Sequence, residues 1–454
     1  MRRFACKLLA VSSLLLALTS LAETRPQYGG TLRIAMQIAP VSLDPVQLNQ
    51  FETVAARNLT RLVFDTLVTL DDSGRIRPGL ATSWQADAGN QRWQLWIRPA
   101  LRWQDGSAVT ADSLAASLRS ANPSWNVSAH SDALIIESAV PLTTLLPDLA
   151  LPRNAVGKRT PEGPPLGTGP FKISDWQPGR RLTLSATEDY WAGRAFLDAV
   201  VIDLGKSPRE QALGLELSKY DVVEIVPEQV RHAIADDRRI AVSAPMQLSA
   251  LVFSKDPQSP EEARLRTALS LAIDRNAIRN VLLQGQGEIC GALLPNWLSG
   301  YAFVFPAELD LRRAQEIRGD VARGNMGTLA YDASDPVSRF IAERIVLNAR
   351  DAGITLQATN STSADLRLIT VSLASLNPQL ALARMAAELQ LPQPRLHDSS
   401  EEELFRAEDA ILQSQRVIPL LQLPAAFALS QTVRGFPVAR DGAWDVPNVS
   451  LERR

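Results

Sequence analysis

The chain has 454 residues, 46% hydrophobic and 21% charged, with a formal net charge of −2. That composition excludes a largely disordered chain, and its acidic balance argues against a nucleic-acid binder. The length is enough for two or three lobes.

At the N-terminus, Arg2, Arg3 and Lys7 precede or open an apolar run, Leu8 to Leu18, that is too short to span a bilayer. Ser20-Leu21-Ala22 follows as a small-x-small site, which predicts an export signal cleaved after Ala22. Removing its three basic residues and no acidic one would take the formal charge from −2 to −5. Cys6 lies before the apolar run, so it is not a lipoprotein cysteine; beyond the signal only Cys290 remains, which predicts no intramolecular disulfide. Cys290 reads as a small buried apolar residue. No other apolar stretch reaches membrane-spanning length.

Gly29-Gly30 introduce an alternating strand, Leu32, Ile34 and Met36. Ser42-Leu43-Asp44-Pro45 is a turn. Phe51, Val54, Ala55, Leu59, Leu62 and Val63 recur at helical spacing. Leu67–Leu70 and Arg75–Arg77 flank Asp71-Asp72-Ser73-Gly74 as a hairpin. Trp93, Leu95 and Ile97 alternate as another strand, and Thr110 caps a predicted helix over 111–119 with Asp112 near its positive end.

The segment PLGTGPFKISDWQPG (165–179) resembles a phosphate loop at first sight. Pro170 removes a backbone donor, no helix or lysine follows in the required place, and Phe171 and Ile173 alternate as a strand. Gly167, Thr168 and Gly169 are therefore read as a structural turn entering a strand, with Thr168 a lesser candidate for a cleft position.

In the C-terminal half, Leu265, Ala268, Leu269, Ala272 and Ile273 line a helix, and Asp274 caps a second short one. GTLAY (327–331) reads as a strand. Asp335 and Pro336 start a helix carrying Phe340, Ile341, Ile345, Val346 and Ala349, which Gly353 ends before the strand Ile354–Gln357. Strand–helix–strand order implies a parallel α/β unit. Residues 391–403 are expected to form a surface loop.

His130, His232 and His397 have no partner at metal-ligand spacing, there is no HExxH and no G-x-S-x-G, so neither a metal, a cofactor nor a catalytic function is expected. Most tryptophans read as packing residues. Trp297 and Tyr301, in LPNWLSGY (294–301), sit in a loop that could line a cleft or cap a lobe.

A series of ordered segments resembles one family: GGTLRIA (29–35), SLDP (42–45), LVFDTLVTLDDSGRIRPGLATSWQ (62–85), LRWQDGSAVTADSLAASL (101–118), GTGPFKI (167–173), DYWAG (189–193), LGLELSKYDVV (213–223) and RTALSLAIDRNAI (266–278). Together they are similar to the family-5 extracellular solute-binding proteins of ABC importers, the oligopeptide, dipeptide and nickel group. The resemblance implies an α/β, two-lobed, periplasmic-binding-protein-like fold of the class II or cluster C type. The first lobe would be 23–250 plus 428–454, with an inserted subdomain at about 59–166 that is reduced here because 120–166 is short. The second lobe would be 251–427, and crossovers near Phe253–Pro260 and Ala426–Thr432 would form the hinge.

The same resemblance implies a periplasmic monomer that binds a peptide or similar small solute between its lobes and presents it to an inner-membrane permease. A sensor or accessory protein on the same fold is the alternative, and an exported hydrolase a more distant one. Peptide-binding members grip the ligand's ammonium with an acidic residue in a Gly/Trp/Asp-rich stretch of the second lobe. Here ADLRLITVSLASLNPQLALARMAAEL (364–389) has Asp365 and Glu388 but no aromatic and no glycine, which leaves the ligand class open. Asp365 is assigned to the strand start. The cleft candidates are Val41, Ser42, Trp297, Tyr301 and Tyr331.

Overall fold

The computed structural model describes residues 27–50, 52–319, 321, 324–361, 363–396 and 400–452. The predicted export signal, Phe51 and His397 lie outside the described residues.

The chain enters through strand β1 (Thr31–Ala35), which alternates inward and outward as its pattern requires. Helix α1 (Val54–Val63) follows; the Thr53 hydroxyl accepts the Ala56 N–H at its start. A subdomain then interrupts the lobe. It holds the hairpin β2 (Val68–Leu70) and β3 (Ile76–Pro78), then β4 (Ala81–Ala86) and β5 (Arg92–Ile97). Helix α2 (Ala111–Ala121), with a Thr110–Ser113 capping box, and strands β6 (Asn126–His130) and β7 (Ala133–Glu137) complete it. Its antiparallel sheet has the order β4-β5-β7-β6, and its own core includes Leu80, Trp93, Leu95, Trp103, Leu114, Leu134 and Ile136.

The chain returns to the main sheet through β8 (Phe171–Gln177), β9 (Arg181–Ala186) and β10 (Ala199–Asp203), then adds helix α3 (Pro208–Glu216), β11 (Val222–Ile225) and helix α4 (Pro227–Ala235). Strand β12 (Arg239–Phe253) carries it across the molecule. Beyond lie helix α5 (Pro260–Ala272), the short strand β13 (Glu288–Ile289), helix α6 (Leu311–Gly319), β14 (Asn325–Ala330), helix α7 (Pro336–Asp351), β15 (Thr355–Thr359), β16 (Leu366–Ser372) and helices α8 (Pro378–Glu388) and α9 (Glu401–Gln413). Strand β17 (Val417–Leu429) crosses back. The parallel unit expected from the sequence is present as β14–α7–β15. The expected loop over 391–403 ends early: Ser400 caps α9, so Glu401–Glu403 form its acidic first turn.

One sheet of eleven strands unites the molecule, in the order β15-β14-β16-β12-β17-β11-β1-β10-β9-β8, with β13 beside β17. Strands β12 and β17 belong to both halves. Arg239–Val242 pair with Ala426–Leu429 beside β11, whereas Pro245–Val252 pair with Val417–Pro424 beside β16. The register slips between Val242 and Pro245 and again between Pro245 and Gln247. Proline removes a ladder donor, and bulges bend and twist a strand. The bend therefore sits at Ser243–Met246 opposite Pro424–Ala425. Positions 250/251 and 427/428, expected as lobe boundaries, fall within β12 and β17, and the bend in β12 precedes the crossover expected at Phe253–Pro260. One core joins Leu32, Ile34 and Ile202 of the first half to Leu382, Met385 and Leu404 of α8 and α9; a second packs α5 and α7 on the other side.

Candidate functional site

The GTGP turn is a corner. Gly169 N–H donates to the Val63 carbonyl at the end of α1 (3.0 Å). A Cβ on Gly167 would lie 1.8 Å from the Val63 oxygen, so close backbone approach demands the glycine. Between the glycines, the buried Thr168 hydroxyl donates to Asp65 (2.9 Å). Tyr190 O–H and Trp191 Nε1–H donate to the same carboxyl, each at 2.9 Å. Burial pushes the Asp65 carboxyl up to about 6, against the pull of those three donors. This knot ties the subdomain to the first lobe and offers no reacting group.

The halves of the molecule meet elsewhere, along a seam built by α1, the 145–154 segment, the C-terminal loop and the stretch between β16 and α8. Arg57 of α1 is buried. Its guanidinium donates to the Leu373 carbonyl at the end of β16 and to the Asp441 carbonyl, and it pairs with the Asp441 carboxylate at 3.2 Å. Arg61 reaches the same carboxylate at 3.2 Å. Burial alone would raise the Asp441 carboxyl, but Arg61 and Arg57 hold it below its ordinary value. Across the seam, Arg384 of α8 pairs with Asp148 at 3.0 Å. Leu151 packs with Ala374 and Leu380. The hairpin turn of β2–β3 also reaches over: Gly74, at φ +74°, leaves no room for a Cβ beside the Leu376 carbonyl.

One cavity in the seam, lined by Arg57, Arg61, Leu151, Ala374, Ser375 and Asp441 among others, measures about 10 Å³, roughly the space one water needs. Larger cavities lie away from it: about 360 Å³ beside Trp103, Lys172 and Trp191, and about 280 Å³ between Asp44–Val46 and α2.

Two carboxylates of the seam stand apart. Glu52, just before α1, is 9% exposed. Glu388, at the end of α8, is half-buried. Among the described residues neither makes a hydrogen bond or an ion pair. Burial raises both carboxyls; it takes Glu388 to about 7, with the Glu52 charge adding to the shift.

The structure does not bring the five sequence candidates together. Val41 is 81% exposed on the first half. The Ser42 hydroxyl accepts the Asp44 N–H within its own turn. Trp297 donates its indole N–H to the Pro245 carbonyl (2.7 Å), at the bend of β12, and Arg440 lies over its ring. Tyr301 donates to Glu408 (2.8 Å), a buried carboxylate that also accepts the Leu293 and Leu294 N–H groups. Tyr331 packs against the second core. Asp365 does serve the strand start: its carboxylate accepts both the N–H and the hydroxyl of Thr328. Cys290 is buried, and burial pushes its thiol up to about 12. His130 and His232 are exposed on separate elements. Sequence reasoning missed Arg57, Asp148, Arg384 and Asp441. Isolated charges carry no motif, and their partners lie hundreds of positions away in some cases. Glu388 alone was singled out.

Comparison with known proteins settles the family. The profile of the bacterial extracellular solute-binding proteins, family 5 (middle portion), matches residues 75–393. The chain belongs to this family. Among similar family-5 proteins, the nickel-binding protein NikA of Staphylococcus aureus is 23% identical over 276 residues, covering 57% of this chain and 54% of NikA. The oligopeptide-binding protein AppA of Bacillus subtilis is 20% identical over 320 residues, covering 63% of this chain and 57% of AppA. In sequence the chain thus spans about half the length of these relatives. The fold is that of the two-lobed family-5 structures. A Pseudoalteromonas dipeptide-binding protein in complex with Met-Leu superposes with a TM-score of 0.77 at 15% identity, over 93% of this chain and 100% of that one. Staphylococcus aureus NikA, in complex with Ni(L-His)2, superposes at 0.76 and 17% identity over 93% and 100%. Among the described residues no helix is long and apolar enough to cross a membrane.

Proposed function

We propose that this family-5 chain is the solute-binding component of an ABC importer, that it acts in the periplasm, and that it holds a small solute in the seam between its halves before presenting it to a permease. The observation that carries this reading is the seam itself. Two strands bent at Pro245 and Pro424 join the halves, and polar contacts from both sides converge where they meet. Relatives with this fold bind a dipeptide in one case and a nickel–histidine complex in another, so peptides and metal chelates are the first classes to try. Binding of this kind needs no reacting group. A solute that contacts both halves favours the closed arrangement by its differential affinity.

The full chain, purified under native conditions, would be denatured and the released small molecules identified by mass spectrometry. A recurrent solute at near-stoichiometric yield supports the reading. Consistent absence of any solute, with no binding across a panel of peptides and metal chelates, overturns it.

One observation favours a second reading, a sensor or accessory protein without a transport role. The 373–389 stretch supplies its own side chains to the seam, and the cavity it lines there measures only about 10 Å³. Capture of an importer permease by the tagged chain would remove that reading.

A further inference from the structure

The cavity of about 360 Å³ lies where the subdomain meets the first lobe, away from the seam. That is the size of a small-molecule pocket. Three stretches line it: the 100–106 turn of the subdomain, the corner with Thr168 and Lys172, and the 187–191 turn after β9. Most of its polar groups are already committed. Thr168, Tyr190 and Trp191 donate to Asp65 at 2.9 Å each. The Gln104 amide donates to the Val63 and Phe171 carbonyls and accepts the Gly167 N–H. The Thr187 hydroxyl donates to the Gly169 carbonyl. These walls cannot turn without breaking the Asp65 corner, so the cavity holds its shape before anything enters it.

Three donors are left over. Trp103 is 3% exposed, and a buried indole N–H ordinarily finds a partner. This one has no acceptor among the described residues. The Trp93 and Trp444 indole nitrogens are unpartnered too, but they are sealed off from solvent. The Trp103 nitrogen is not sealed, and the open space that Trp103 lines is this cavity. Lys172, exposed on β8, forms no ion pair or hydrogen bond among the described residues. Arg102 gives one N–H to the Gly106 carbonyl (2.9 Å) and meets no carboxylate among them. Of the two acids in the lining, Glu188 is taken by Arg194 at 2.7 Å, and Asp189 stays unpaired.

We propose that this cavity is a second ligand site, independent of the seam, and that it takes a small organic carboxylate with a flat apolar body. The Lys172 ammonium, the Arg102 guanidinium and the Trp103 N–H receive the carboxylate oxygens, and charge-assisted hydrogen bonds of this kind are the strong ones. The rings of Trp103, Tyr190 and Trp191 give the body an apolar wall. Asp189, unpaired in the same lining, is free to accept an ammonium. An aromatic amino acid is therefore one source of this chemistry, and an aromatic acid without nitrogen is the other. An amine that lacks a carboxylate offers the three donors nothing.

The test is titration calorimetry of the full chain, refolded from denaturant so that no retained solute competes. Three probes share one aromatic body: phenylacetate, phenylalanine and phenethylamine. Phenylacetate and phenylalanine should bind, and phenethylamine should not. Tighter binding of phenylalanine would assign Asp189 to its ammonium; equal or weaker binding would leave recognition to the carboxylate. Lys172→Gln, an exposed substitution, should weaken phenylacetate on the order of 10-fold. Trp103→Phe, which removes the N–H and part of the ring, should weaken it about 5-fold. Three results overturn the proposal: no binding of either carboxylate, phenethylamine binding as tightly as phenylacetate, or a phenylacetate affinity that Lys172→Gln leaves unchanged. The last would put the carboxylate elsewhere, the seam included. Lys172→Gln decides alone should Trp103→Phe not fold.

Discussion

The Asp65 corner and the interlobe seam both bury carboxylates, and they treat them oppositely. At the corner, three donors converge on one carboxyl at 2.9 Å each, and backbone meets backbone so closely that only glycine fits. At the seam, Glu52 and Glu388 have no donor among the described residues, while Arg57 and Arg384 pair with Asp441 and Asp148. Complete polar satisfaction rigidifies the corner; at the seam the polar pairing is less complete, and a shared apolar core joins α8 and α9 to the first half. The corner ties a subdomain to its lobe, where movement would serve nothing. On the proposed reading, the seam joins halves whose separation would admit a solute.

The strongest way to break this contrast is at the corner's backbone. Gly167→Ala sets a methyl 1.8 Å from the Val63 oxygen, and backbone on both sides cannot yield as a flexible side chain would. The expected loss exceeds about 4 kcal/mol, seen as failure to recover folded protein or as a large fall in Tm. A folded variant with near-normal Tm would show that the corner is looser than its distances imply.

A smaller loss should follow Thr168→Val, which keeps the shape and removes one donor from Asp65. About 1–3 kcal/mol is expected in denaturant unfolding. The loss should be larger at pH 8 than at pH 5. Burial raises the Asp65 carboxyl to about 6, so it is charged in the fold above that pH and protonated below it, and the charged form depends most on its donors. An equal loss at both pH values would mean that the hydroxyl serves packing alone.

How much of this was legible beforehand follows the same division. The corner could be read because its chemistry is local or motif-like: Pro170 and the alternation of Phe171 and Ile173 exclude a phosphate loop, and GTGP and DYW lie within one short stretch. The caps at Thr110 and Asp335 were legible for the same reason. The long strands β12 and β17 were not. Their buried runs lack clean alternation, since they are covered on both faces. The seam was least legible. Arg57 meets Leu373 and Asp441 only after the chain has crossed the sheet twice. Trp297, expected in a loop, lies in the four-residue helix Asn296–Ser299, and its indole is committed to the Pro245 carbonyl at the bend. Trp297→Phe should therefore cost about 0.5–1.5 kcal/mol through that one hydrogen bond. If solute binding changes too, the change should appear as altered closing of the halves in scattering. A binding loss with unchanged closing would return Trp297 to the cleft wall.

The smallest expected effect on stability is at the seam, and it sharpens the contrast most. Arg384→Met removes the cation that pairs with Asp148 at 3.0 Å while keeping most of the side chain's apolar bulk. Both partners are partly exposed, so the pair should contribute no more than about 1 kcal/mol to global unfolding. Its effect on the position of the halves should be larger in proportion, because it is one of few polar contacts that join them. Scattering at pH 7 reads that effect. A larger radius with near-normal Tm would identify Arg384–Asp148 as a latch between the halves. A fall in Tm as large as that of Thr168→Val, with no change in radius, would mean that the seam is as permanent a joint as the corner.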